Sequence, residues 1–326
     1  MSSTGETRCE EKRPAIHPAP AEPGASATES QAGSVGGRSE PEASAAGEPP
    51  LLVIERRTGW RLLDLAELWR FRELLFFLTW RDIKVRYKQT VLGAAWAVLQ
   101  PLATTVVFTV FLGGLAQVPA GAWQDKYPLF VFAGMLPWTF LATAITNAGQ
   151  SLVGSQNLVT KVYFPRLIIP TGAVGVCLVD FAIAFAVLLL LMVGYGVLPG
   201  WGLLLVPALL LLMLVLTVGV GALLAALTVA YRDFRYVVPF AVQLWMFATP
   251  SIYMAPQASH GPRWEAVMPL LPLNPAYGLV TAFRQAVLGS PIDLYALGIS
   301  SVVSLLVLLA GCLYFTQVER SFADII

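Results

Sequence analysis

Long apolar runs separated by short polar connections set the plan of this chain. Six stretches are apolar enough to cross a bilayer, roughly 91–115, 128–149, 167–193, 201–229, 237–255 and 294–315. A helix needs about 20 apolar residues to traverse the hydrocarbon core, and each stretch is of that order. No water is present there to pair with a bare backbone, so each run is expected to be helical despite Pro101, Pro137, Pro207 and Pro250. Those prolines are expected to kink their helices without ending the spans. A different pattern precedes the first run. Leu65, Leu68, Phe71, Leu75 and Leu78 recur at three- and four-residue steps, with Trp69, Trp80 and several arginines flanking that face. This spacing predicts an amphipathic helix lying in the membrane interface. Its role is open between a topological anchor and a gate helix that shapes the cytoplasmic mouth and touches a partner.

Between the fifth and sixth runs, residues 256–293 are too polar and proline-broken for a span and too apolar for a free loop. A re-entrant or interfacial pair of short helices fits them best. An extracellular loop packed on the bundle is the alternative. No internal repeat is visible, which weighs against secondary carriers built from inverted repeats. The expected fold is therefore an all-α polytopic membrane protein. It has six transmembrane helices, an N-terminal amphipathic interface helix and re-entrant helices between spans five and six.

Composition changes the picture at the start of the chain. Residues 1–50 are rich in Ala, Glu, Gly, Ser and Pro and cannot bury enough surface to offset the entropy of ordering. The expected organisation is a disordered cytoplasmic tail over 1–55, the interface-helix region over 56–90 and the transmembrane domain over 91–318. No basic segment leads into an apolar one in the tail, so a signal peptide is not expected. Across the whole chain only 13% of residues are charged and 56% are apolar, whereas a soluble domain carries about 25% charged residues. A net charge of +1 gives no case for nucleic-acid binding. Cys9, Cys177 and Cys312 are scattered and His17 and His260 lie far apart, so neither a disulfide framework nor a metal site is expected.

Charge placement sets the orientation. Arg56, Arg57, Arg61, Arg70, Arg72, Arg81, Lys84, Arg86 and Lys88 precede the first run. If that side is cytoplasmic, the later inner loops hold Lys161 with Arg166 and Arg232 with Arg235. The outer connections keep only Lys126, Arg263 and Arg284. The bias predicts both termini in the cytoplasm.

Candidate chemistry is sparse. The chain has no GxxxxGK[ST] phosphate loop, no HExxH and no GxSxG elbow, so any energy source must lie elsewhere. Asp180 stands alone among the ionisable groups deep in a span, and such groups are suspects for function because they are costly in lipid. A structural Asp bonded to Ser, Thr or backbone is the expectation, with Asp180→Asn mild. The connection NLVTKVYFPRLIIP (157–170) is unusual for a short crossing, since it gathers charge and rigid apolar surface suited to docking. Span aromatics are numerous. Most are expected to face lipid or the interface belt, while a minority could line a passage on which sugar rings stack.

These stretches resemble a known family. LTWRDIKVRYKQTVLGAAWAVLQPL (78–102), the 157–170 connection, YRDFRYVVPFAVQLWMFATPSIY (231–253) and LNPAYGLVTAFRQAVLG (273–289) occur in order, over about residues 60–320. Together they resemble the permease subunits of type-2 ABC transporters, in the branch that exports O-antigen, capsule or teichoic acid. The resemblance implies a half-transporter in the bacterial inner membrane. Two copies of this chain would form the channel, and two copies of a separate ATP-binding subunit would carry ATP and Mg; no cofactor is implied on this chain. A lipid-linked polysaccharide is the implied cargo. By position, the ATPase-coupling loop comprises Asn157, Leu158, Lys161, Tyr163, Phe164, Pro165 and Arg166. A second contact comprises Tyr231, Arg232, Asp233 and Arg235. The gate helix carries Trp69, Trp80, Arg81, Asp82, Lys84, Arg86 and Tyr87. Trp96, Trp138, Trp245, Phe247 and Tyr253 are candidates for the substrate path. In this reading Lys161 and Arg166 hold the loop against the ATPase while Tyr163 and Phe164 fill a groove in it.

Other classes fit less well. A drug or lipid exporter permease accounts less well for residues 78–102. A glycan-modifying membrane enzyme would need paired polar groups outside, where only Arg263, Glu265, Arg284 and Asp293 are found. A channel or ion-coupled carrier is disfavoured by the isolation of Asp180.

Overall fold

The computed structural model describes residues 69–88, 95–115, 121–156, 158, 164–198, 200–249 and 268–319. All lie within one compact unit, Gly59–Ile326. The expected tail, and the positions Asn157, Lys161, Tyr163 and Tyr253, fall outside the described residues.

Among the described residues all regular secondary structure is helical, and there is no strand. In chain order the helices are α1 (Arg72–Lys88), α2 (Ala95–Phe108), α3 (Tyr127–Gly154), α4 (Ile168–Gly194), α5 (Val206–Ala230), α6 (Phe234–Ala248), α7 (Pro275–Leu288) and α8 (Leu294–Val318). Helix α2 continues as a π-helical stretch, Thr109–Leu115, and tight 3-10 turns lead into α3, α5 and α7. Five helices are long and apolar enough to cross a membrane: Ala95–Leu115, Trp123–Gly154, Ile168–Gly194, Trp201–Ala230 and Leu294–Val318. These fall on the expected first four and last spans. The expected fifth span is represented by α6, which has 15 residues; the rest of that run lies outside the described residues.

Helix α3 is the centre of the bundle. Nearly every side chain from Leu129 to Leu141 is buried, and α2, α4, α5, α6 and α7 all pack on it. Small residues make the closest approaches possible. A Cβ at Gly221 of α5 would sit 2.6 Å from Ala148 of α3, and one at Gly311 of α8 would lie 2.1 Å from the Gly219 carbonyl oxygen of α5. Lipid gives helices no hydrophobic drive to associate, so backbone-close packing of this kind supplies much of the cohesion.

The prolines divide into two groups. Pro101 and Pro137 lie inside α2 and α3 as expected, and the helices run through them. Pro207 instead sits in the first turn of α5, after the 3-10 turn Trp201–Leu205. Its missing N–H costs nothing there, so it starts a helix where a kink was expected.

The segment before α8 holds the short turn Met268–Leu273 and α7. Asn274 joins them to α6. Its side-chain Oδ1 accepts from Trp245 Nε1 at 2.8 Å and from the Ala276 N–H at 3.2 Å, capping α7, while its side-chain Nδ2 donates to the Ala248 carbonyl and Thr249 Oγ1. Ser300 of α8 accepts from the Gly278 N–H at 3.2 Å and donates to the Pro272 carbonyl. Gly289 ends α7 at a φ of 72°, a conformation that favours glycine. Helix α7 is almost wholly buried against α3, α5 and α8.

Candidate functional site

Two interhelical connections meet at one end of the bundle. The first leads from α3 to α4. Here Phe164 is only 6% exposed and packs into a cluster with Leu152, Ala225, Ala226, Cys312 and Phe315. The side chain expected to fill a groove in a partner instead fills a gap among this chain's own α3, α5 and α8. Burying that ring is worth more inside the bundle than leaving it in water, which fixes its direction. Arg166 also turns inward. Its backbone N–H donates to Glu319 Oε1 at 3.2 Å, and its guanidinium donates to the Glu319 carbonyl. Pro165 accepts from the Ile168 N–H at 3.0 Å, starting α4, and Leu158 folds back on Ser155 at 2.9 Å. The loop is thereby fastened to the end of α8.

The second connection is the turn between α5 and α6. Tyr231 donates its N–H to Leu227 at 2.8 Å and accepts from Phe234, closing a tight reversal that exposes Arg232, Asp233 and Arg235. The Arg235 carbonyl accepts from Gln150 Nε2 of α3. Arg232, Arg235 and Tyr236 share a recess of about 340 Å³ with Val153 and Gln156, the last residues before the first connection. The end of α3, just before the first connection, thus borders the second.

Helix α1 packs lengthwise on α4. Leu75 and Thr79 lie at Gly172, and Thr79 also meets Gly175, where a Cβ would come within 2.9 Å of its Cγ2. Phe71, Leu75 and Leu78 turn to the bundle, but Phe76, Phe77 and Val85 are exposed, so the apolar residues of α1 are not confined to the one face expected of an amphipathic helix. Trp69 and Trp80 point outward, each beside a cation: Arg72 lies 5.5 Å from the Trp69 ring and Lys84 lies 5.3 Å from the Trp80 ring. Arg81 pairs with its neighbour Asp82 at 2.8 Å, both in the open.

The last turn of α1 reaches the middle of α4. Tyr87 donates its hydroxyl to Asp180 Oδ1, and Arg86 Nη2 lies 3.0 Å from Asp180 Oδ2. Asp180 is thus held by two side chains of α1, in place of the Ser, Thr or backbone partners expected. Burial, reinforced by the bond to Asp180, pushes the Tyr87 phenol up to about 12, so it stays a donor at any physiological pH. Around this cluster lies a cavity of about 310 Å³, with Trp96 and Gln100 of α2 and Thr139 and Thr143 of α3 on its walls.

The path aromatics separate. Trp96 borders that cavity and Phe247 is exposed on α6. Trp138 is 4% exposed and meets Trp245 edge-on at 6.1 Å. With the Trp245 indole bonded to Asn274, those two rings form a packing pair within the chain. Sequence reasoning missed Glu319, Asn274 and Ser300 altogether. Asn274 ahead of a proline carries a helix-cap signal that could have found it.

Residues 73–288 match the family described as ABC-2 type transporter, and the chain belongs to that membrane-transporter family. Among individual proteins it is similar to the O-antigen export system permease protein RfbA of Myxococcus xanthus, 31% identical over 79% of this chain and 97% of that protein. Two proteins of that name from Klebsiella pneumoniae are 24% and 25% identical over 78% of this chain and 95% of their length.

Proposed function

We propose that this chain is the permease half of an ATP-driven exporter that moves a lipid-linked polysaccharide across the bacterial inner membrane. Two copies form the conduit, and two copies of a separate ATP-binding subunit, carrying ATP and Mg, drive it. Six spans leave both termini in the cytoplasm, and α7 with its preceding turn is a re-entrant element on the outer side. The observation that carries this reading is the recess shared by the end of α3, at Val153 and Gln156, and the α5–α6 turn, where Tyr231, Arg232 and Arg235 are exposed. Similarity to O-antigen permeases over nearly their whole length supports the cargo class.

Phe164 and Arg166 act as anchors that hold the α3–α4 connection to α5 and α8, and the contact itself falls to the residues around them. The test is purification of the tagged chain from mild detergent, with the genes for adjacent candidate ATPases present. An equimolar chain bearing a Walker sequence is expected, and deletion of the permease should trap lipid-linked glycan on the inner leaflet. A permease that purifies alone under every mild detergent, in cells with normal surface glycan after its deletion, would sink the proposal.

A further inference from the structure

Helix α4 joins two features that the sequence treats as unrelated. At its start is the connection containing Phe164, Pro165 and Arg166; near its middle is Asp180, about 18 Å along the axis at 1.5 Å per residue. Helix α1 runs beside that same stretch. At the lower end the contact is made of small groups, with Thr79 against Gly172 and Gly175, and Thr79 Oγ1 reaches the Gly172 carbonyl only at 3.4 Å. Such a contact is weakly directional. At the upper end it is highly directional, because both oxygens of Asp180 are engaged by the consecutive residues Arg86 and Tyr87. The Asp180 side chain is 20% exposed and that of Arg86 is 42% exposed, so solvent screens the ion pair on the Arg86 side and the directionality rests chiefly on the Tyr87 hydroxyl. The Arg86 and Tyr87 side chains border the same cavity as Trp96 and Gln100 of α2, which places them beside the start of the first span.

We propose that Asp180 is a positioning residue that yokes α1 to α4, so that displacement of the α3–α4 connection is delivered through α4 to the helix guarding the entrance. This rests on the transporter reading above and adds to it the route by which force reaches the gate. The cavity beside the cluster gives the end of α1 room to shift, since its walls at Trp96 and Gln100 belong to α2 and at Thr139 and Thr143 to α3. Rigid-body motion of one helix against another needs a fixed point as well as a sliding face. Asp180 supplies the point and the Thr79–glycine contact supplies the face.

The experiment uses the full permease with its ATPase in lipid nanodiscs and in cells. Asp180→Asn keeps the shape and one acceptor but removes the charge. It is expected to leave assembly and ATP hydrolysis within about twofold while export per ATP falls about tenfold, the size of an ordinary coupling effect. Tyr87→Phe should give a smaller loss in the same direction. The exchanged pair Asp180→Arg with Arg86→Asp should recover most of the export that either single change loses, as a direct interaction requires. Hydrogen exchange of the permease gives a readout that needs no glycan: Asp180→Asn should speed exchange in residues 80–88 and leave α5 and α8 unchanged. Unaltered exchange in α1, or normal export per ATP in well-assembled Asp180→Asn, overturns the yoke while leaving the transporter reading intact. Failure of the exchanged pair, with ATPase and export lost together, reduces Asp180 to a packing role and also overturns it. A wild-type permease that recruits no ATPase, while its Asp180→Asn variant still shows the faster exchange, overturns the transporter reading instead.

Discussion

Phe164 and Arg166 show how a residue's neighbours, more than its type, decide its work. Both sit in the connection that a docking model would turn outward, and both are committed inward, one to the cluster around Leu152 and Phe315 and the other to Glu319. Truncating a buried phenylalanine removes packing contacts and leaves a cavity, at about 3–5 kcal/mol. Phe164→Ala is therefore expected to lower the thermal midpoint of the purified permease, whereas Phe164→Leu keeps most of it, as read by size-exclusion of heated samples. A Phe164→Ala protein as heat-resistant as wild type would show that the ring is not holding the loop. The sequence marks this loop as unusual, because charge and aromatics in a short crossing are visible without a structure. It cannot orient the side chains, since an irregular connection has no period that sorts inside from outside. Asp180 is a similar case. Its isolation in an apolar run is plain, but its partners Arg86 and Tyr87 lie far back in the chain, and no local pattern links them.

At the scale of helices, periodicity and length carry more. The apolar runs locate five spans because a bilayer demands a long, unbroken apolar helix, a requirement any sequence must meet openly. Contacts between helices are less legible, because a glycine in an apolar run looks the same whether it faces a neighbour or lipid. Gly311 and Gly298 make the contrast within α8. A Cβ at Gly311 would lie 2.1 Å from the Gly219 oxygen, and backbone cannot yield as a flexible side chain does; a Cβ at Gly298 meets nothing within 4 Å. Overpacking of this kind costs about 1–3 kcal/mol or more, while alanine for glycine inside a helix gains about 1 kcal/mol where space permits. Gly311→Ala is expected to lower the detergent half-life of the permease at a fixed temperature, and Gly298→Ala to hold or extend it. Equal half-lives for the two variants would mean that α5 and α8 do not cross this closely.

The whole molecule presents its least embedded elements together in character, if not in sequence. The α2 span has 11% of its central window buried, against 78% for the α3 span, and Leu99, Val106, Val107, Val110 and Phe111 are exposed along it. Helix α6 likewise buries only Val238 and Val242 and leaves Val237, Phe240, Leu244 and Phe247 outside. A central helix such as α3 is satisfied within one chain, whereas α2 and α6 are half-finished, and no pattern in a single sequence says what completes them. The proposed second copy does so. Cysteine placed at Val107 or Phe240 of an otherwise cysteine-free permease is expected to form disulfide-linked dimers in native membranes, while cysteine at the similarly exposed Leu211 of α5 is expected not to. Cross-linking at Leu211 with none at Val107 or Phe240 would move the shared interface to the opposite part of the bundle, and with it the passage that two copies enclose.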